Sequence, residues 1–584
     1  MEIAAATEGS APVAKTGALI VGAGPTGLTL ACELARRGAP FRIVAAAGGP
    51  STTAKAGQLH SRTLEVLEDM GALEGAEELG VRVYGMTVYA EGRRVLHSGH
   101  DDLDAPYPYE LACGQDRIER LLLDLLSRLG SRVEWHSRLE TIAPDGGGAL
   151  ATLAGAHGAS RRIRARWVIG CDGARSTVRE LTGGRLERAA CPEEWLVGEV
   201  RLDWQQPPDE QYAFLSEEGG FAALTCQPLP QERWRLTASL PPAHRTPGHR
   251  EPDPSLAGLR ELFERTGATA GRLSDLSGVT IHRVARRTVE RRVAGPLILA
   301  GDAAHLTSPL GGVGMNNGIQ DAHNLGWKLA LALEGVAGPE LIDSYAAERQ
   351  AIVRRPLSTS NRSHVLRSLR RPLAGELRGR LPGFLAHFDH ITDRSYRDQA
   401  QISSGYRDSP IVGEEAGAPL PRAGPSDHGS QLAAWTSFAR GPRAGDRAPD
   451  SPEIREGDGG PRRLFEVLAG SEHALLMFLG CEQPHAQTLA TATAIARRVG
   501  DGYGSRVTAH LVVPAGRPVA GYDWPGPVIL DPTEALHNRY GARGECLVLI
   551  RPDGYIGFRA QPPSFQALSR HLSGIFAPMA IVSS

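Results

Sequence analysis

Ala18-Leu19-Ile20-Val21-Gly22-Ala23-Gly24-Pro25-Thr26-Gly27 is the stretch on which the fold turns. Four apolar residues run straight into a glycine-rich turn, as a buried parallel strand does when it hands the chain to a helix. Leu28 to Arg37 reads as that helix, stopped by Gly38. Phe41 to Val44 reads as the returning strand, so residues 17–45 make a compact βαβ unit. In such a unit Gly22 permits the tight turn, Gly24 lets the backbone approach a dinucleotide pyrophosphate, and Gly27 lets helix and strand pack closely. Pro25 and Thr26 open the helix, whose free N–H groups and positive dipole end suit an anion. A carboxylate for the ribose hydroxyls is expected at the end of the second strand. That place is held by Ala45, and nothing acidic occurs from Phe41 to Leu64. Ser51, Thr52 and Gln58 are the substitutes nearby.

Two later stretches repeat the strand-then-turn pattern with a carboxylate. Val168-Ile169-Gly170-Cys171-Asp172-Gly173 is the first, and Leu297 to Gly301-Asp302 the second. Asp302 can accept a hydrogen bond from a ribityl hydroxyl. The run Gly311-Gly312-Val313-Gly314-Met315-Asn316 then opens a helix expected to begin near Asn316 and to continue through Ile319 to Leu333. A reduced flavin is anionic along its pyrimidine edge, and a helix N-terminus with bare glycine backbone stabilises such charge.

A chain of 584 residues is too long for one core, which predicts two to four domains. A formal net charge of −2 and a pI near 6.8 give no field favouring nucleic acid or an anionic membrane. The seven cysteines show no CxxC pair and no zinc-like spacing, so no metal site and a reduced, cytoplasmic protein are expected. No apolar run is long enough to span a bilayer. Residues 1–16 read as a flexible tail.

Between 186 and 280 apolar and polar residues alternate between Pro- and Gly-rich turns, predicting an antiparallel sheet that interrupts the first domain, 17–185 and 281–415. Trp195, Trp204, Tyr212, Phe214, Phe221 and Trp234 are its candidate aromatic walls, half of which must face away. Residues 416–462 read as a linker. A third unit, 463–584, follows, with a strand at 474–479, a helix near 484–498, a strand at 507–513 and a hairpin about Arg551-Pro552-Asp553-Gly554. The expected class is α/β: a Rossmann-like nucleotide domain, an inserted antiparallel sheet and a C-terminal α/β unit.

The ordered set GxGxxG, DG and GD, with GDAAH leading into SPLGGVGMNNGIQDAHNLGWKLA, resembles the single-component FAD-dependent aromatic hydroxylases, and among them the bacterial aromatic polyketide hydroxylases. The resemblance spans roughly residues 17–410 in motif order, and it implies a thioredoxin-like C-terminal domain. It also implies roles residue by residue. Gly22, Gly24 and Gly27 approach the pyrophosphate of FAD, and Lys55 stands where an arginine is usual. Gln115 and Asp302 serve the ribityl chain, with Gly301 in the turn, and Asp172 and Gly173 serve FAD and the visiting nicotinamide nucleotide. Pro309, Gly311 and Gly312 border the reaction face, and Gly314, Met315 and Asn316 offer backbone to the pyrimidine edge. His305 and His323 are expected to pack structurally, as are the charges of Asp343 to Arg349.

The implied activity is oxygenation of an aromatic, polycyclic phenol by a C4a-hydroperoxyflavin, with NADPH or NADH and O2 as co-substrates. With no second GxGxxG, the nicotinamide nucleotide visits without a domain of its own. Baeyer–Villiger insertion and a non-catalytic binding role are the competing readings, and the general base stays unassigned. The C-terminal unit is expected to be structural, at a homodimer interface.

Overall fold

The computed structural model describes residues 13–52, 57–90, 92–100, 103–156, 159–187, 193–216, 222–240, 255–266, 268, 271–284, 287–307, 312–354, 397–398, 400–417, 428–457, 459–481, 486–514 and 523–577. Strand β1 (Ala14–Val21), helix α1 (Pro25–Arg36) and strand β2 (Phe41–Val44) form the expected unit. β1 starts at Ala14, so it takes up the end of the segment expected as a tail, with only Ala18 to Val21 buried. Strands β3 (Ser160–Gly170) and β4 (Leu297–Leu299) join it in the parallel order β4, β3, β1, β2.

Register decides what this sheet can do. Val21 lies beside Gly170, and Gly170 beside Leu299. The three strands therefore end flush, and the ladder continues one residue further through Cys171 N–H to Val21 O (2.8 Å) and Ala300 N–H to Gly170 O (3.0 Å). Three motifs far apart in the chain thus open from one carboxyl edge, where open parallel sheets bind ligands.

After β4 the chain enters α2 (Val313–Glu334), buried along most of its length, and then α3 (Leu341–Arg354). α2 begins three residues earlier than Asn316, because Gly312 adopts a left-handed N-cap (φ +64°) that a side chain would strain.

The antiparallel sheet has seven strands, ordered Arg272–Val284, Glu193–Asp203, Arg233–Leu240, Ala222–Leu229, Glu210–Ser216, Gly85–Ala90 and Arg93–Gly99. The last two come from inside the segment assigned to the nucleotide domain, a correction to the expected boundaries. Gly85–Ala90 runs parallel to Glu210–Ser216, a pairing no local turn could signal. One face of the sheet is closed by the helix Leu256–Arg265 through Leu259, Leu262 and Phe263.

The C-terminal sheet also has seven strands, ordered Gly413–Ala416, Ile556–Gln561, Cys546–Ile550, His473–Phe478, Val507–Pro514, Val528–Asp531 and Arg455–Glu456. The expected linker contributes to it. Residues 416–462 supply the strand Arg455–Glu456 and the helix His428–Arg440, whose Phe438 is buried and whose Phe438 carbonyl accepts from Arg559 (2.7 Å). Frequent Pro and Gly interrupt the periodicity of that stretch without preventing its few apolar residues from packing.

The C-terminal hairpin turn docks into the nucleotide domain. Arg551 makes a bidentate pair with Glu348 of α3 (2.7 and 2.9 Å), and Glu348 also accepts from Lys328 (2.7 Å), Asn324 (2.7 Å) and Ser409 (2.6 Å). Burial opposes ionisation of Glu348, yet Arg551 and Lys328 hold its pKa below the usual range. Burial pushes the Lys328 ammonium down to about 8. Removing one partner of a buried pair strands the other charge, which costs about 3–5 kcal/mol. Arg551→Met is therefore expected to lower the first thermal transition and expose the unit to protease, and an unchanged melting profile contradicts the latch.

Buried histidines, His473 and His510 among them, weaken the C-terminal unit at acid pH. Burial holds His473 down to about 3, with Arg551 adding to the effect, and burial holds His510 down to about 4. Both are neutral in the folded chain, whereas the unfolded chain binds protons below its ordinary histidine range near 6.5. Their contribution is complete above pH 6.5 and is lost as pH falls toward 4 and then 3. Thermal midpoints measured from pH 7 to 4 should fall, and His510→Leu should flatten the slope. Parallel slopes for variant and parent would rule out this origin.

Candidate functional site

The first glycine turn divides its labour among three residues. A Cβ on Gly22 (φ +108°) would lie 2.3 Å from the Cys171 carbonyl oxygen, and one on Gly27 would lie 2.0 Å from the Gly22 carbonyl oxygen. Both are glycine because backbone packs against them. A Cβ on Gly24 would meet nothing within 4 Å, although its backbone is extended and tolerates a side chain. Gly24 thus faces open space. α1 has no side-chain cap, and Pro25 has no N–H to offer, so the next N–H groups face that same space. Thr26 points elsewhere: its hydroxyl is wedged where Cβ atoms on Gly301 and Gly318 would be, at 2.4 and 2.3 Å. It locks the first motif to the third.

The second motif is held locally. Asp172 accepts from Ser176 Oγ (2.5 Å) and Val178 N–H (3.1 Å), so its carboxylate caps the short helix Thr177–Leu181, and Gly173 (φ +80°) makes the turn between them. In the third motif Gly301 (φ +60°) turns the chain and Asp302 is exposed at the sheet edge. Beneath it lies Asp321 of α2, fully buried. Asp321 accepts from Gly301 N–H (3.1 Å), Arg292 (2.9 Å) and Arg349 (2.6 Å), and it pairs with His305 Nε2 (2.8 Å). Burial alone would raise its pKa, but Arg292, His305 and Arg349 together hold it well below the carboxylate range.

The structure places His305 in that structural cluster and His323 against Glu33 (3.0 Å). Glu33, Asp69 and His323 bring ligand atoms within 4.8 Å of one another, but Arg36 pairs with both carboxylates and Arg37 with Glu33, so their charge is already met.

At the N-terminus of α2, Asn316 acts through its side chain. Its Nδ2 donates to Gly312 O (2.7 Å) and Gln58 O (2.9 Å), and its Oδ1 accepts from His60 N–H (2.9 Å). Gln58 therefore lies against Gly312 and not at the end of β2. A Cβ on Gly314 would lie 3.1 Å from Thr307 Oγ1, and Met315 is buried in the nucleotide-domain core. Lys55, Pro309 and Gly311 lie outside the described residues, as does Phe221.

Gln115 sits at the first position of the helix Gln115–Arg128 and donates to Glu119 (2.8 Å), whose other oxygen accepts from Ser51 N–H (2.8 Å). Glu119 is buried and reaches the loop that follows β2. It was missed in the sequence because it lies far from Ala45. The available signal was a carboxylate among Ile118, Leu121, Leu122 and Leu125 on an otherwise apolar helix face.

Four of the six candidate aromatic walls point away from this site. Trp204, Tyr212, Phe214 and Trp234 cluster with Phe263 beneath the helix Leu256–Arg265. Trp195 is out of phase with Leu196 and Gly198, which face that helix, so it lies on the opposite face with Glu199. On that face Gln227 Nε2 donates to Gly57 O (3.0 Å), and Arg235 covers Gly57 while donating to Glu199 (2.6 Å). The sheet thus closes over the segment that carries Gln58.

The family described as FAD binding domain matches residues 15–360. The chain belongs to this FAD-binding family. It is 33% identical over 573 residues to 6-methylpretetramide 4-monooxygenase of Streptomyces rimosus, covering 95% of this chain and 93% of the relative. It is 30% identical over 561 residues to pentachlorophenol 4-monooxygenase of Sphingobium chlorophenolicum, covering 93% of each. Among solved structures it is similar to the flavin-dependent monooxygenase PieE in complex with FAD and substrate, with a TM-score of 0.74 at 22% identity, covering 97% of this chain and 100% of that one. That last likeness speaks for the fold alone.

The residues present fit FAD. The open front of Gly24 and the uncapped start of α1 suit a pyrophosphate, and the flush edge leads from there to the N-terminus of α2. The last two glycines of the turn then separate experimentally. Gly24→Ala should leave the FAD-free protein as stable as the parent while weakening FAD by about 10-fold or more, a loss of about 1.4 kcal/mol. Gly27→Ala should destabilise the fold itself by about 1–3 kcal/mol through overpacking. FAD titration beside thermal unfolding reads both, and equal behaviour of the two variants would refute the division.

Proposed function

We propose that this chain is an FAD-dependent monooxygenase that uses NADPH or NADH and O2 to hydroxylate an aromatic, polycyclic phenol of the polyketide type. The observation that carries the reading is the convergence of the three motifs, with the start of α2, on one sheet edge closed over by the antiparallel sheet. Relatives of matching length named as monooxygenases of aromatic compounds support it. Bound FAD supplies the redox chemistry, taking hydride from the nicotinamide nucleotide and activating O2 for transfer of one oxygen atom.

The protein's own part is binding, orientation and exclusion of water. The N-terminus of α1 would hold the pyrophosphate in the middle of the cofactor, and that of α2 the pyrimidine edge at its flavin end. Asp302 and Gln115 are assigned to the ribityl chain, and Glu119 to the ribose side, where Ala45 has no carboxylate. The face bearing Trp195, Glu199, Arg235 and Gln227 forms the roof over the substrate, and a phenolic substrate brings its own activating oxygen. With no second GxGxxG, the nicotinamide nucleotide binds transiently.

We assign the C-terminal unit to a thioredoxin-like fold. In support, His473–Phe478 pairs parallel with Val507–Pro514 and antiparallel with Cys546–Ile550, which pairs antiparallel in turn with Ile556–Gln561. Cys481 follows the first of these strands alone, and burial pushes its thiol up to about 11, which argues against disulfide exchange. None of the six cysteines among the described residues is in a disulfide. No helix among the described residues is long and apolar enough to cross a membrane.

The test is to incubate the purified yellow protein with polycyclic phenols and follow NADPH loss, H2O2 release and product structure by NMR. We expect a product one oxygen atom heavier, formed in step with NADPH use. Reduction of the flavin with all oxygen released as H2O2, for every phenol offered, would overturn the substrate class.

A further inference from the structure

Gln58 carries a polar group that the fold itself leaves unsatisfied. The residue is 3% exposed, and its Nε2 has no hydrogen-bond partner among the described residues. Its backbone is fixed, since the carbonyl accepts from Asn316 Nδ2 (2.9 Å) while neighbouring His60 N–H donates to Asn316 Oδ1 (2.9 Å). Its side chain lies along Gly312: a Cβ there would stand 2.9 Å from Gln58 Oε1 and 3.0 Å from Gln58 Cβ. Burying an amide donor without a partner costs about 1–3 kcal/mol, so native proteins rarely leave one that way.

A second group of donors meets it. Gly312 is the N-cap of the 22-residue α2 and no side chain caps that terminus, so the first-turn N–H groups of α2 are unsatisfied by the helix itself. Buried amide and helix terminus thus bring N–H donors together from two separate parts of the chain. Their complement is a flat group with acceptor oxygens along one edge that becomes anionic, which describes the pyrimidine edge of a flavin.

We propose that the Gln58 carboxamide is a direct ligand of FAD, its Nε2 donating to the carbonyl edge of the pyrimidine ring beside the N-terminus of α2. The inference rests on FAD binding by the family and not on the substrate class, so the two stand or fall separately. A donor at this edge favours the reduced, anionic ring over the oxidised one, and Gln58 thereby raises the reduction potential of the bound flavin.

Gln58→Leu and Gln58→Glu test the assignment, with FAD affinity measured by titration, reduction potential by dye equilibration, and unfolding measured with and without FAD. Leucine removes the unsatisfied amide at nearly constant shape. It should leave the FAD-free protein as stable as the parent or more so, yet weaken FAD by about 10-fold, or 1.4 kcal/mol, and lower the potential. Glutamate should lower the potential further, because its charge opposes the reduced ring. These opposite signs, steady FAD-free stability with weakened FAD binding, are what a packing role cannot produce. The proposal is overturned by unchanged affinity and potential in Gln58→Leu, by FAD-free stability and affinity falling together, or by a change confined to substrate KM. Should Gln58→Glu fail to fold, Gln58→Leu alone decides.

Discussion

One buried carboxylate, Asp321, organises the centre of the molecule. It is fully enclosed, and four groups from three segments converge on it: the Gly301 amide and His305 of the third motif, Arg292 and Arg349. Desolvating a carboxylate costs several kcal/mol, so the arrangement holds only while the partners stay in place. It thereby fixes the turn after β4 against α2, and α2 against α3. The flush ends of the three strands put the motifs at one edge, and Asp321 sets the third motif at its height above that edge.

Neighbouring residues of α3 extend this constraint outward. Arg349 reaches Asp321, while Glu348 reaches Arg551 in the C-terminal hairpin and Lys328 on α2. Arg551 also lies over the rings of Trp327 and Tyr406, at 5.4 and 5.3 Å. A second contact joins the same units, Arg447 to Glu65 on the helix Ser61–Asp69. The C-terminal unit is thus fastened to α3 and to the helix Ser61–Asp69, and electrostatics in a low-dielectric interior does the fastening.

Much of the nucleotide-binding architecture was legible in the sequence because its signals are local. An apolar strand running into glycines has one economical continuation, and the packing seen at Gly22 and Gly27 is the close approach that their residue type implies. The histidines and the charged helix of residues 343–349 also take the structural places expected of them. The linker reading failed because Pro and Gly conceal short elements that draw their stability from a neighbouring sheet. The aromatic walls were undecided because alternation defines two faces without saying which one meets a helix. Glu119 and the placement of Gln58 were illegible because each depends on a partner tens or hundreds of residues away.

Residue order alone sets which segments become strands and helices around the nucleotide, and where backbone must come close to backbone or ligand. Those follow from chain stereochemistry within a few residues. Long-range packing makes Val21, Gly170 and Leu299 end level, brings the strands of residues 85–99 to the antiparallel sheet, and turns Gln58 toward Gly312. Such choices are made by burial and by pairing between distant groups, whose free energy exists only once the chain has brought them together.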